Sequence, residues 1–207
     1  MIHWLNHHAS LRFEASLPDG QGSKTIYTDP WEIKSTEPKA DIILITHDHF
    51  DHCSPPDIEK IAKPETIIIA TQGCVSKLKG YTVKTLKPGE STNVNGINIE
   101  AVAAYNINKQ FHTKSNNWVG YIFTLDGKRI YQAGDTDLIP EMKDIKADIV
   151  LLPIGGTYTM NATEAAEAVN LINPKLAIPI HWGKIVGNQN DPETFKKLAK
   201  CEVKILQ

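Results

Sequence analysis

The sequence predicts a layered α/β sandwich, with two β-rich halves inside and helices outside. Two stretches indicate this, because residues 41–45 and 148–152 each place an aspartate before four apolar residues, as expected for strands that are buried on both faces. Each stretch follows a β-meander and precedes a helix and another strand. This rough duplication predicts one sheet per half, with the carboxyl ends of the strands meeting at one edge, where ligands bind in open α/β sheets.

The first half of the chain begins with short strands. Its apolar and alternating runs predict strands at 2–5, 11–15, 24–28, 42–45 and 66–70. A turn is predicted at Pro18-Asp19-Gly20. Ser54, followed by two prolines and Asp57, predicts the start of a helix that ends near Ala62. A further short helix is predicted at 74–79.

The second half is richer in strands and repeats the order of the first. Strands are predicted at 82–86, 91–94, 97–104, 119–125, 129–133, 148–152 and 175–180. The Asp126-Gly127 pair predicts a hairpin turn. Asn161, with Glu164 three residues later, predicts a capped helix over 163–172. Asp191 is predicted to cap a last helix over 192–199.

Composition narrows the class of protein. A length of 207 residues suits a single domain over 1–207. A net charge of -2 and a pI of about 6.4 argue against a nucleic-acid partner. Three cysteines without a C-x-x-C pair predict reduced thiols, and no apolar run approaches the ~18 residues of a membrane span. The sequence therefore predicts a soluble, cytoplasmic protein with no membrane partner.

The chemistry is concentrated in residues 46–52, which hold three histidines and two aspartates directly after a buried strand. His47, His49, Asp51 and His52 offer the nitrogen and oxygen ligands that a divalent metal such as zinc accepts. Alternation places His47 and His49 on the same side of an extended segment, and a turn after Phe50 moves the other two towards a second position. This spacing favours two metals over one. The alternative is a histidine-rich surface loop.

Two later residues offer the further donors that two metals would need. Asp135 and His181 each come just past a predicted strand. Their alternative roles are a turn aspartate and a histidine at the edge of the core. Because the strand ends are expected to meet at one edge, we predict that both side chains join the first cluster.

These motifs resemble the metallo-beta-lactamase superfamily. The resemblance rests on T-H-x-H-x-D-H at residues 46–52, on Gly134-Asp135-Thr136 and on the histidine after a strand at 181, and it spans essentially the whole chain. It implies a four-layer αββα sandwich. His8-Ala9-Ser10 and Asp29-Pro30 further resemble a compact branch of metal-dependent hydrolases that includes ascorbate-phosphate lactonase-like and phospholipase-D-like members.

The resemblance also implies the metal ligands. The family's arrangement implies one ion held by His47, His49 and His112, a second held by Asp51, His52 and His181, and Asp135 bridging the two. An ordinary loop histidine is the alternative for His112. Asp29 is implied to support ligands without binding metal, and His8 is expected to face the site.

The predicted function is metal-dependent hydrolysis of an ester, lactone, thioester, amide or phosphodiester bond in a small molecule, by hydroxide that two metals activate. Zinc is the expected ion, with manganese and iron as alternatives. Asp51 and Asp135 are predicted to position the nucleophile, Tyr158 to donate to a developing oxyanion, and Lys114 to meet an anionic group. The alternative is a metal-binding regulatory or scaffold module without turnover.

Overall fold

Two β-sheets form the inner layers of the fold, and the first is built from the amino-terminal half. The structure is a computed structural model that describes residues 1–16 and 22–206. The strands of the first sheet are β1 (Ile2–Trp4), β2 (Leu11–Ser16), β3 (Ser23–Thr28), β4 (Ile42–Ile45), β5 (Ile67–Ala70) and β6 (Thr82–Thr85). They lie side by side in chain order. The predicted turn at Pro18-Asp19-Gly20 lies outside the described residues.

The second sheet repeats this arrangement. Its strands are β7 (Ser91–Val94), β8 (Ile97–Ala103), β9 (Val119–Leu125), β10 (Lys128–Gln132), β11 (Ile149–Pro153), β12 (Leu176–Ile180) and β13 (Glu202–Val203), again side by side in chain order. Strands β1 to β3 pair antiparallel and β3 to β6 parallel. Likewise β7 to β10 pair antiparallel and β10 to β13 parallel. The predicted duplication is therefore present in the topology.

The two aspartates that precede the buried strands make the same pair of hydrogen bonds in each half. The carboxylate of Asp41 accepts a hydrogen bond of 2.9 Å from the backbone N–H of Thr25, and the Asp41 N–H donates back to the Thr25 carbonyl at 2.9 Å. Asp148 does the same with Arg129, at 3.0 Å and 2.8 Å. Each aspartate thus ties the start of its strand to the neighbouring strand and fixes where the parallel pair begins.

Strand β4 shows why an uninterrupted apolar run forms an interior strand. Ile42 and Leu44 face the core between the two sheets, whereas Ile43 and Ile45 face an outer cluster that contains Ile58 of the following helix. Alternate side chains leave a strand on opposite faces, so both faces must be covered by other elements.

Helices supply the outer layers. The α-helices are α1 (Pro55–Ile61), α2 (Ala162–Ile172) and α3 (Asp191–Leu198), and the 3₁₀ helices are Gln72–Lys77, Lys114–Asn116 and Pro140–Asp144. Helix α1 packs on the first sheet, while α2 and α3 pack on the outer face of the second. The described chain is thus a four-layer αββα sandwich. Within it, no helix combines the length and the apolar character that a membrane span requires.

The predicted helix starts differ in outcome. Asn161 and Glu164 form the predicted capping box, because the Asn161 side chain accepts from the Glu164 N–H at 2.9 Å and the Glu164 carboxylate accepts from the Asn161 N–H at 2.8 Å. Ser54 occupies the N-cap position of α1, but its hydroxyl donates to Asp57 at 2.6 Å and caps no backbone group. The predicted cap at Asp191 is wrong, because Asp191 is the first residue of α3. The helix predicted at 74–79 is the 3₁₀ helix Gln72–Lys77.

Candidate metal centre

The predicted metal ligands lie at one edge of the sandwich, past the carboxyl ends of strands from both sheets. Residues 46–52 follow β4, Asp135 follows β10, and His181 directly follows β12. The backbone N–H of Val119, at the start of β9, donates to the carbonyl of Thr46 at 3.2 Å and so joins the two halves beside the site. The side chains are buried although they are polar. His47, His52, His112, Asp135 and His181 are each at most 5 % exposed.

Three of the histidines, His47, His49 and His112, form one cluster, called here the three-histidine group. Their ligand atoms lie within 4.8 Å of one another, and Nε2 of His47 is 3.1 Å from Nδ1 of His49. The Thr46 hydroxyl lies 2.9 Å from the other ring nitrogen of His47, which leaves Nε2 for the site. Trp118 packs against all three rings, with centroid distances of 4.8 to 5.4 Å.

Asn106 orients His112, and sequence reasoning missed it. The Asn106 side-chain oxygen accepts from the backbone N–H of His112 at 2.9 Å and lies 3.1 Å from its Nδ1. The carbonyl of Tyr158 lies 3.2 Å from the same ring nitrogen. These contacts direct Nε2 of His112 into the site. Since Asn106 is in a loop, no periodic pattern could have revealed it.

A second cluster, called here the mixed group, consists of His8, Asp51, His52 and His181. Nε2 of His8 lies 3.0 Å from the Asp51 carboxylate, and Nε2 of His52 lies 3.8 Å from it. The rings of His8 and His181 have centroids 3.8 Å apart. His8 was expected only to face the site, yet it stands among the candidate ligands. The His8-Ala9-Ser10 match was the one signal for it in the sequence.

Asp135 lies between the two groups. Its carboxylate is 3.3 Å from Nε2 of His112, 3.2 Å from Nε2 of His181 and 3.5 Å from Nε2 of His52. The preceding Gly134 adopts a φ of +66°, and a Cβ there would lie 2.8 Å from the carbonyl oxygen of Val119. Only glycine tolerates both conditions, so this turn is what delivers Asp135 to the centre of the site.

The donor atoms fit a divalent metal. Tetrahedral ligation at zinc–nitrogen distances of 2.0–2.1 Å places neighbouring ligand atoms about 3.3 Å apart, close to the 3.2 to 3.5 Å that separate Asp135 from its three imidazoles. The Nε2 atoms of His52, His112 and His181 are buried without a hydrogen-bond partner among the described residues. An unsatisfied buried nitrogen is costly. An ion in the three-histidine group would satisfy that of His112, and an ion in the mixed group those of His52 and His181.

Asp29 supports the site from behind. Its carboxylate lies 3.0 Å from Nδ1 of His52 and accepts hydrogen bonds from the backbone and hydroxyl of Thr46 at 2.8 Å and 2.9 Å. Gln132, from the second sheet, donates to it at 3.2 Å. Asp29 belongs to none of the candidate ligand groups found among the described residues. A carboxylate in this position fixes the orientation of the His52 ring and raises its basicity as a ligand.

Burial and neighbouring charges set the protonation states of the candidate ligands. Burial lowers the pKa of His47 well below its usual value, so its imidazole is neutral. Burial would raise the pKa of Asp135, but His181 and His52 hold that pKa well below its ordinary range. In the same way burial would raise the pKa of Asp51, but the hydrogen bond from His8 and the charges of His52 and His8 together lower that pKa to about 2. Neutral imidazole and ionised carboxylate are the forms that bind metals.

His52 is the exception, and its shift shows how strongly the site attracts positive charge. Burial lowers the pKa of His52, but Asp135, Asp29 and Asp51 together outweigh it and raise that pKa to about 10. In the protein without metal these carboxylates therefore hold a proton on His52. A divalent cation among the same carboxylates would displace that proton.

A cavity of about 310 Å³ opens onto the two groups. Tyr158 lines it, so the residue predicted to act on an oxyanion lies at the site, and that role stays a prediction. Lys114 does not line it. Instead, its ammonium group donates to Glu141 at 2.9 Å and to the Tyr105 hydroxyl at 3.2 Å, beside a separate cavity on the second sheet. The prediction that Lys114 meets an anionic group of the substrate is therefore not met by the structure.

Comparisons with known proteins agree with this geometry. The family model for the beta-lactamase superfamily domain matches residues 1–181. A UPF0173 metal-dependent hydrolase of Thermococcus onnurineus is 38% identical over 205 residues, covering 90% of each chain. One of Thermoplasma acidophilum is 35% identical over 192 residues, covering 86% of this chain and 84% of its own.

Solved structures show the same relationship. A protein from Parabacteroides distasonis, assigned as a metal-dependent hydrolase, has a TM-score of 0.84 and 38% identity over 98% of this chain and 92% of its own. The metallo hydrolase Igni18 of Ignicoccus hospitalis has a TM-score of 0.78 and 25% identity, covering 100% of this chain and 94% of its own. Membership of the lactonase-like and phospholipase-D-like branch stays a prediction. The chain belongs to the beta-lactamase superfamily, with the αββα sandwich of the metallo-beta-lactamase type, and is a metal-dependent hydrolase.

Proposed function

We propose that this chain hydrolyses an ester, lactone, thioester, amide or phosphodiester bond of a small molecule at a binuclear centre. The three-histidine group would hold one divalent ion and the mixed group the other. One observation carries the proposal: the Asp135 carboxylate lies 3.3 Å from His112 in the first group and 3.2 Å from His181 in the second. Zinc suits this set of imidazoles and carboxylates, and manganese or iron would also accept it.

The chemistry would be divided between the ions and the side chains at the cavity. Divalent ions, when bound, supply a water of lowered pKa and polarise a carbonyl or phosphoryl oxygen. Asp51 would accept a hydrogen bond from the attacking water; its position in the lining of the cavity and the 3.0 Å contact of its carboxylate with His8 support this role. Asp135 would be a ligand for the ions of both groups. Tyr158 would donate a hydrogen bond to the oxyanion that develops on the substrate.

The test is a measurement of metal content together with a hydrolysis panel. Protein loaded in turn with zinc, manganese and iron should bind about two equivalents and turn over at least one of the five classes of bond. A chelator should abolish turnover, and added metal should restore it. Binding of a single equivalent would contradict the binuclear centre. Absence of turnover with every metal across the panel would contradict the hydrolase proposal and favour a regulatory or scaffold module.

Tyr158→Phe tests the oxyanion role by itself. Loss of one donor to an oxyanion lowers kcat by about 100-fold or more, while metal content should stay unchanged because the Tyr158 contact with His112 uses the backbone carbonyl. Tyr81→Phe, which removes a hydroxyl beside the first sheet, is the matched control. Equal kcat values for the two variants would exclude Tyr158 from this role.

A further inference from the structure

Three apolar side chains at the mouth of the candidate metal centre are exposed to solvent. Phe50 is 69% exposed, Phe111 49% and Ile185 43%, and all three line the same 310 Å³ cavity as the candidate ligands. They come from separate loops, and each loop also carries a candidate ligand. These three residues are called here the apolar collar. Exposed apolar groups that cluster around a cleft mark a surface that another molecule covers.

The two aromatic members are held in place from one side. Phe50 meets the ring of Trp31 edge-on, with centroids 5.9 Å apart, and Phe111 meets the ring of Tyr158 edge-on at 4.7 Å. Edge-to-face contacts of this kind restrict the position of a ring. Phe50 and Phe111 are therefore each restrained by one aromatic neighbour, and the rest of each ring remains exposed.

The acidic side chains that line the cavity behind the collar are those of Asp51 and Asp135. No lysine or arginine lines this cavity within the described ranges 1–16 and 22–206. The lysines nearest to the collar in sequence are both engaged, because Lys109 pairs with Asp137, and Lys184 pairs with Glu32 and lies 5.0 Å from the centre of the Trp31 ring. An anionic group at the mouth would meet no cationic side chain unless one of these pairs opened.

We propose that the apolar collar binds the non-reacting part of the substrate and selects uncharged apolar groups over anionic ones. This inference rests on the proposed hydrolase function and narrows its substrate class. Removing apolar surface from water is favourable in proportion to the area covered, so a longer alkyl or aryl group gains more from the collar than a short one. An anionic group in the same place loses its hydration without gaining a partner.

Hydrolysis of a graded ester series tests the selection. The zinc-loaded full chain is assayed with 4-nitrophenyl acetate, butyrate, hexanoate and octanoate, and with the anionic 4-nitrophenyl monoester of succinate. We expect kcat/KM to rise about tenfold or more from acetate to octanoate, and the succinate monoester to fall below butyrate. Phe50→Ala and Phe111→Ala should each flatten the rise. Leu171→Ala, which truncates a leucine that is 48% exposed near the far end of α2, should keep it.

Binding of n-octanol supplies a readout that needs no turnover. In methyl NMR of the zinc-loaded protein, n-octanol should shift the Ile185 signal and leave that of Ile61, buried under the first sheet, in place. If no ester is hydrolysed but Ile185 shifts, esters are excluded from the five proposed classes of bond and the collar stands. If esters are hydrolysed with no dependence on chain length, or with a preference for the succinate monoester, the collar proposal is overturned. An Ile185 signal that does not shift when n-octanol is added would overturn the collar proposal as well.

Discussion

The three-histidine group and the mixed group stand on either side of Asp135, yet they differ in charge. Each has one half-buried member, but the first consists of imidazoles alone. The second contains the Asp51 carboxylate, and Asp29 supports its His52 from behind. Carboxylates neutralise part of the charge of an ion, whereas neutral imidazoles leave it uncompensated. We therefore expect the mixed group to hold its ion more tightly and the three-histidine group to exchange its ion more readily.

Asp135→Asn should have the largest effect, because the Asp135 carboxylate contacts both groups. The amide keeps the shape and loses the charge. Loss of a supporting residue alone costs 10- to 100-fold in metal affinity or activity, so we expect kcat/KM to fall by more than about 100-fold. The metal content of both groups should also decrease. Asp144→Asn removes the same charge from an exposed position and is the control. Full activity and metal content in Asp135→Asn would mean that the groups act independently.

His112→Ala should separate the groups. It removes one of three ligands from the three-histidine group and should lower metal content towards about one equivalent, retained by the mixed group. In a chelator titration the wild-type protein should lose its ions in two phases, and the variant should lack the first. His3→Ala, a change at a histidine on β1, is the control. An unchanged ratio of metal to protein, measured by elemental analysis, would remove His112 from the site.

Asp29→Asn should act on the mixed group alone. The Asp29 carboxylate lies 3.0 Å from Nδ1 of His52. Its replacement by a neutral amide therefore weakens the contact that orients the His52 ring. We expect metal affinity of the mixed group to fall by about 10- to 100-fold, and the first chelator phase to stay where it is in the wild-type protein. A shift of both phases would show that Asp29 stabilises the whole edge of the sandwich through Thr46.

The parts of the fold that could be predicted are those that residues close together in the sequence determine. Strands β4 and β11 follow from apolar runs that need cover on both faces, and the start of α2 follows from a side chain that reaches its own first turn. The cap at Asp191 was wrong although the residue type was right, because its carboxylate accepts from Asn188 upstream, at 2.7 Å, and the helix has already begun at Asp191 itself.

The candidate site likewise has a part that local sequence predicts and a part that depends on contacts between distant residues. Four of the candidate ligands lie within six residues, so their spacing alone indicated a metal. The contact of His8 with Asp51 spans 43 residues, and the pairing of Lys114 with Glu141 spans 27. Such contacts depend on how loops from different strands meet, and no spacing along the chain encodes that. The sequence predicts that Lys114 meets an anionic group of the substrate, but its ammonium group lies 4.4 Å from the centre of the Tyr105 ring and pairs with Glu141.

Asn161→Ala should have the smallest effect and should leave both groups intact. The side chain of Asn161 caps α2, and loss of such a cap lowers the free energy of unfolding by about 1 kcal/mol. Asn190 provides a matched control, since it occupies the N-cap position of α3 but makes no capping hydrogen bond, and Asn190→Ala should cost less. Urea denaturation measures both. A change in metal content in Asn161→Ala would show that α2 is coupled to the three-histidine group, because Tyr158, whose carbonyl lies against the ring of His112, is three residues before the cap.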